Sequence, residues 1–445
     1  MLPFLDRSRE FSRLSRALDA RGFAVLWGRR RVGKSRLLRK ALEGRLAIFY
    51  VADERDSALQ REALAREAAA LIPGFDRVAY PSWEPLFDRL FRESPPGAVL
   101  AIDEIPFLVS AAPEIPSLLQ KQIDAGPRIG VVACGSSQAM MHGLVLDAAA
   151  PLYGRAQELI RVAPLGAHWL GEALRVSTPE DVLRRWAVAG GIPRYWELLS
   201  GFADFEEALR DLFFDPLGTL FREPDHVLKD DYRDPRKAMS ILALVGSGCH
   251  RPSEISARLG EPATSLVRPL GRLVELGLIR REVPFGQSPR DGKRTRYRID
   301  DPLLAFWYAF VEPNRSRIEA GLGDVVARQT IAALPRHLGD SWEVLVRQAV
   351  PRLEIDGARF EPAQRFWRGS GAELDAVASS VDDPNVVLVV EAKLSLTAEE
   401  LPREIEGLRR RANLPELEGK KKVFAVASPS VGTPWTGADI IRALD

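Results

Sequence analysis

The chain of 445 residues carries a net charge of +1, with 28% charged and 46% hydrophobic residues, the balance of an ordinary globular protein. That balance excludes a global positive field, so any nucleic-acid surface has to be a local patch. No apolar run approaches membrane-spanning length, the first residues lack a targeting pattern, and Cys134 and Cys249 lie too far apart in sequence to suggest a disulfide framework or a zinc site, which together point to a cytoplasmic protein of two to four compact units with no membrane partner.

Strand-like apolar runs recur at 24–27, 47–51, 99–102 and 130–133, separated by helix-period segments at 58–71 and 83–92. This alternation predicts a parallel sheet with helices on both faces. Between the first strand and its following helix stands Gly28-Arg29-Arg30-Arg31-Val32-Gly33-Lys34-Ser35, which fills the fixed positions of the phosphate-binding loop. The chemistry requires the two glycines so that backbone N–H groups can curl around a phosphate at a helix N-terminus. Lys34 then reaches the β/γ oxygens of ATP, Ser35 ligates Mg²⁺, and Arg36 opens the helix beside the nucleotide. The third strand ends in Asp103-Glu104, where one carboxylate would enter the metal shell and the other activate water. After the fourth strand, Ser136 is a candidate sensor of the γ-phosphate, or simply a turn serine.

Several motifs in order give this half of the chain a family likeness. Phe4-Leu5-Asp6-Arg7, the glycine loop, Ile102-Asp103-Glu104-Ile105-Pro106, Cys134-Gly135-Ser136-Ser137, Pro151-Leu152-Tyr153-Gly154-Arg155 and Gly190-Gly191-Ile192-Pro193-Arg194-Tyr195 resemble the archaeal-type P-loop ATPases, allied to the AAA+ and STAND groups. The resemblance implies an ATPase core over 1–165, a helical lid over 166–232 whose Pro193 touches the nucleotide, and a winged helix over 233–311. It also implies a γ-phosphate role for Arg155, in its own subunit or a neighbour's within an oligomer; a structural corner is the alternative.

From residue 236 the apolar spacing gives three helices, the third with the stripe Leu266, Leu270, Leu273 and Leu276, and then a strand after Gly277. This is the order of a winged helix-turn-helix. Its wing carries Arg290, Lys293, Arg294, Arg296 and Arg298, the last three alternating as on one face of a strand. They could bind DNA phosphates, or the wing could pack on the protein itself. The aromatic segment 300–311 reads as a buried helix, and it resembles the junction in archaeal-type ATPases that carry an uncharacterised C-terminal domain.

After a linker over 312–335, residues 336–445 offer a second constellation. Glu343 falls on a helix, Asp375 on a strand, and Glu391 with Lys393 at the end of another, followed by an amphipathic helix and a strand. The arrangement resembles the α/β fold of PD-(D/E)xK restriction endonucleases, which implies that Asp375 and Glu391 hold Mg²⁺ with Glu343 behind them while Lys393 orients the attacking water. Two readings follow: an ATPase coupled to DNA binding and Mg²⁺-dependent cleavage, or a nucleotide-dependent switch or scaffold whose later domains only bind DNA or protein.

Overall fold

The computed structural model describes residues 2–445 apart from 127, 230, 233, 289, 291, 293, 356, 370 and 431–434. Lys293 of the expected wing lies outside the described residues.

Five strands, β1 (Phe23–Trp27), β2 (Ala47–Val51), β3 (Val99–Asp103), β4 (Gly130–Gly135) and β5 (Glu158–Arg161), form one sheet in the order β2-β3-β4-β1-β5. Every pairing in it is parallel. Strands β1, β3 and β4 are apolar runs because helices cover both faces: Ala24 and Leu26 join one core with Leu14 and Leu37, while Phe23 and Val25 join the other with Phe87 and Leu90. The edge strand β5 escaped the sequence reading. Only Ile160 of its four residues is buried, so it lacks the apolar signature of its neighbours.

Four helices, His168–Leu174, Pro179–Ala189, Pro193–Leu199 and Phe205–Phe213, follow the sheet. Gly190 has φ +56°, and a Cβ there would meet the Pro302 ring at 2.9 Å, so glycine is required for this close approach. Helices Arg236–Gly246, Pro252–Leu259 and Val267–Glu275 then precede an antiparallel hairpin of β6 (Ile279–Glu282) and β7 (Arg296–Ile299). The expected leucine stripe of the third helix is buried. So is the aromatic segment, where Trp307 donates its indole N–H to the Phe221 carbonyl at 2.9 Å.

Helix Gly323–Ala349 runs unbroken for 27 residues despite Pro335. The expected linker over 312–335 is therefore largely helical, and the boundary at 335/336 falls inside this helix. Beyond it lie a short hairpin, β8 (Glu354–Ile355) with β9 (Ala358–Arg359), and a second five-stranded sheet. That sheet comprises β10 (Gln364–Arg368), β11 (Ala372–Ser379), β12 (Val386–Ala392), β13 (Lys421–Ser428) and β14 (Trp435–Thr436), in that order. Its first two pairings are antiparallel and its last two parallel. The long helix packs Trp342, Leu345 and Val346 against Ala376, Leu388 and Val390, whereas helix Leu401–Arg411 places Leu408 with Val377, Val387 and Val389.

Of the two alternatives for the wing, internal packing holds for Arg296 and Arg298, while Arg290 and Arg294 stand exposed. Arg296 lies over the Trp367 ring at 4.6 Å and pairs with Glu373 at 3.5 Å, and Arg298 pairs with Glu282 at 3.4 Å and Asp340 at 3.8 Å. Both side chains are 17% exposed. Arg296 packs against the C-terminal sheet and Arg298 against its own hairpin and the long helix; Arg294 alone of the three stands exposed.

Candidate nucleotide site and carboxylate cluster

The glycine loop leaves the C-terminal end of β1 and runs into helix Lys34–Leu42. Gly28 (φ +152°) sits so close to the Val162 carbonyl that a Cβ would fall 2.4 Å from its oxygen, and Gly33 (φ +102°) opens the helix. Arg7, buried beneath the loop, donates to the carbonyls of Val32 at 3.2 Å and Ala163 at 2.7 Å. Arg36 is turned away from the loop, donating to the Leu2 carbonyl at 2.6 Å.

Lys34 folds over the cradle. Its Nζ donates to the carbonyls of Gly28 and Arg29, both at 2.9 Å, and to Ser136 Oγ at 2.8 Å. Ser136 in turn donates its hydroxyl to Glu104 Oε1 at 2.5 Å, and its backbone N–H donates to Oε2 at 3.1 Å. Ser136 thus links the loop lysine to the carboxylate expected to activate water. Glu104 is held in the left-handed region at φ +52°, where a non-glycine residue costs about 1–3 kcal/mol. Asp103 is buried and accepts the Glu104 N–H at 3.0 Å.

The loop arginines, read from sequence as phosphate neighbours, are engaged by acids from distant parts of the chain. Arg29 is ion-paired with Asp301, the N-cap of helix Pro302–Phe306, and Arg31 with Glu223. Burial alone would lower the Arg29 guanidinium; Asp301, Tyr195 and Glu223 hold it above its ordinary value. Glu223, 2% exposed, also accepts the Tyr195 hydroxyl at 2.8 Å. Tyr195 lies two residues beyond Pro193, which starts helix Pro193–Leu199, so the lid segment meets the loop through Tyr195 and Glu223. Neither Glu223 nor Asp301 was read from sequence, because an isolated acid far along the chain carries no motif. Gln138 donates to the Leu276 carbonyl at 3.4 Å, tying the end of the third hairpin-domain helix to the tip of β4.

Arg155 stands elsewhere. It precedes β5, and in the parallel sheet Glu158 is level with Ala24 near the start of β1, whereas the loop follows Trp27 at its end. Arg155 donates to both carboxylate oxygens of Asp124, at 2.8 and 3.0 Å, and to the Pro151 carbonyl at 2.9 Å. Within its own subunit it occupies the opposite end of the sheet from Lys34 and serves as a corner.

In the C-terminal unit the antiparallel register that pairs Ala376 with Val390 brings Asp375 level with Glu391. Asp375 Oδ2 accepts the Ala392 N–H at 2.9 Å. Burial pushes the Asp375 carboxyl up to about 7, and the charges of Glu343 and Glu391 add to the rise. Burial also raises Glu343, against the pull of Arg365 and Arg347, each 3.4 Å away. Lys393 Nζ lies 3.0 Å from Glu391 and 3.4 Å from Glu404, and Arg411 pairs with Glu391 at 2.6 Å. All four expected residues are therefore gathered around one strand pair, together with Arg347, Arg365 and Arg411, which the sequence did not single out. Among the described residues there is no group of three or more acidic, His or Cys side chains spaced to hold a metal ion.

Residues 4–199 match the model of an ATPase domain predominantly from Archaea, and residues 307–405 match that of archaeal and bacterial proteins of unknown function. An uncharacterized protein of Methanocaldococcus jannaschii is 28% identical over 454 residues, spanning 99% of both chains. Among solved structures, the Walker-type ATPase of Pyrococcus abyssi superposes with a TM-score of 0.53 at 22% identity, covering 68% of this chain and 95% of that one. At that identity the likeness speaks to the fold alone. The first part of the chain thus matches an ATPase domain predominantly from Archaea and shares the fold of a Walker-type ATPase. No helix among the described residues is long and apolar enough to cross a membrane.

Proposed function

We propose that the protein hydrolyses ATP, that its lid and its three-helix-and-hairpin unit read the nucleotide state, and that its C-terminal unit binds and cleaves nucleic acid. The observation that carries the ATPase reading is the Lys34–Ser136–Glu104 chain of hydrogen bonds at the tips of three parallel strands. An incoming triphosphate competes for Lys34, whose present acceptors are neutral oxygens. Drawing Lys34 onto the β/γ oxygens leaves Ser136 and Glu104 free to turn toward the attacking water. The Ser35 hydroxyl and the buried Asp103 carboxylate are the hard oxygen donors that suit Mg²⁺, which when bound offsets the charge of the phosphates. Arg29 and Arg31 add two cations at the same place once they exchange Asp301 and Glu223 for phosphate. That exchange is the means by which the nucleotide reaches the lid and the winged-helix-like unit.

The cleavage reading is supported by the mixed sheet and by the like charges crowded at Asp375, which a divalent cation would relieve. A Mg²⁺ ion held through one or two carboxylates, with its remaining positions filled by water and substrate phosphate, fits Asp375 and Glu391. It would polarise the scissile phosphate, with Lys393 orienting water. The cations on Glu391 favour the second reading, a nucleotide-dependent switch without cleavage, because Lys393 and Arg411 already satisfy that carboxylate. Cleavage of labelled single-stranded, duplex and branched DNA over a Mg²⁺ and Mn²⁺ titration, with and without ATP, decides between them. Asp375→Ala and Glu391→Ala are expected to abolish cutting and spare ATP turnover. No cutting by the wild type under any condition leaves the switch.

A further inference from the structure

A cavity of about 530 Å³ opens where the lid, the β6–β7 hairpin, the long helix and β10 meet, apart from the phosphate loop and sharing only Arg347 and Arg365 with the carboxylate cluster. Asp375, Glu391 and Lys393 do not line it. Its wall carries Arg280 and Arg281 from β6, Arg347 from the end of the long helix, Arg352 from the turn after it, and Arg365 from β10, with Trp186 of the lid beside them. Only two acids, Glu282 and Asp300, are among the lining residues.

The partners of these arginines leave positive charge in excess. Arg280 takes both acids, Glu282 at 2.7 Å and Asp300 at 3.4 Å, and Glu282 is shared further with Arg298. Arg347 and Arg365 share Glu343, and Arg365 also pairs with Glu373 at 2.9 Å, which leaves the five lining arginines and Arg298 facing four acids, Glu282, Asp300, Glu343 and Glu373. At the mouth, Arg281 donates to the Thr295 hydroxyl at 3.2 Å, and neither it nor Arg352 pairs with a carboxylate among the described residues. Burial holds the Arg347 guanidinium below its ordinary value, and the cations of Arg280 and Arg365 add to this although Glu282 and Glu343 oppose it. Guanidiniums kept this close in a partly desolvated cavity repel one another, and an anion placed among them relieves that repulsion.

We propose that this cavity is a second nucleotide site, taking a free nucleoside diphosphate or triphosphate with its phosphates on the arginine wall and its base toward Trp186. The volume lies within the range of small-ligand sites, about 300–1,000 Å³. Planar guanidiniums suit bidentate phosphate recognition, and Val283, Val344 and Pro362 supply an apolar side for a base. A ligand there would brace the ATPase lid against the C-terminal sheet.

The test is binding stoichiometry on the full chain by calorimetric titration, with ADP, pyrophosphate, inorganic phosphate and a short oligodeoxynucleotide as probes. The wild type is expected to take up two ADP per chain, Lys34→Ala to keep the cavity site, and Arg281→Glu/Arg352→Glu to keep only the loop site, its second affinity weakened at least about tenfold. Both mouth arginines are exposed, so the double variant should melt as the wild type does. A single ADP site in the wild type, a second site indifferent to the charge reversal, or uptake of the oligonucleotide in place of ADP would each overturn the proposal. ATP turnover and DNA cleavage are read separately, so loss of the cavity site leaves the ATPase and nuclease readings standing.

Discussion

Replacing Glu223 by Gln removes the charge that holds Arg31 while keeping the acceptor for the Tyr195 hydroxyl. Glu223 is 2% exposed and the Arg31 side chain 29% exposed. Removing one partner of a buried ion pair costs about 3–5 kcal/mol when the other charge stays buried. Arg31 can swing partly into solvent, so the cost here is the smaller figure of about 1–3 kcal/mol. The nucleotide-free protein should therefore melt at lower temperature. ATP, in the mechanism above, has to break the same pair before Arg31 can reach its phosphates. Without the pair that work is not needed, so the variant should bind ATP about 5- to 150-fold tighter, the ratio that corresponds to about 1–3 kcal/mol of coupling. Saturating ATP should close the gap in melting temperature between variant and wild type. Fluorescent-nucleotide titration gives the affinities, and thermal melts with and without ATP give the stabilities. A variant that melts lower and binds ATP no better than the wild type refutes the exchange, and Glu223 is then a structural partner only.

Lys34→Ala should abolish turnover and weaken ATP binding strongly, whereas Glu104→Gln should bind ATP and fail to hydrolyse it; steady-state turnover and nucleotide binding separate the two. Arg155→Ala should leave turnover within about threefold of the wild type, because the residue lies at the far end of the sheet. A loss near the factor of about 10³ to 10⁵ typical of an arginine finger, in a protein whose activity rises with concentration, would place it in a neighbour's site instead. Asp375→Asn should raise the melting temperature, by more at pH 8 than at pH 5. The folded carboxyl holds its proton up to about 7, above the ordinary value near 3.9 in the unfolded chain. Between those values the folded state binds more protons, so the wild type loses stability as pH rises, and the variant escapes the loss. A difference that is flat with pH would mean that Asp375 carries no such burden.

The phosphate cradle was legible in the sequence because it is a local object: eight consecutive residues, a strand before and a helix after, all dictated by how a backbone wraps a phosphate. Strands β1 to β4 were legible as apolar runs, and the three inner ones, β1, β3 and β4, because burial on both faces leaves the run unbroken, while the edge strand β5, with charged residues at both ends, did not announce itself. The order of Glu343, Asp375, Glu391 and Lys393 along helix and strands could likewise be read off, as could the buried leucine stripe.

What a charged residue does was left to the tertiary structure. Arg29, Arg31, Arg155, Arg296 and Arg298 look alike in sequence, as cations available to phosphate, yet each is held by an acid from another element: Asp301, Glu223, Asp124, Glu373 and Asp340 respectively. The bond from Ser136 to Glu104 spans 32 positions. The long helix crosses the expected domain boundary because its apolar face spans two cores, packing Val326 and Ala327 in one and Trp342 and Val346 in the other. Local preference decides where helices and strands form, but the energy of a charge depends on its desolvation and on the opposite charge a few ångströms off, and those neighbours are chosen only when distant segments meet.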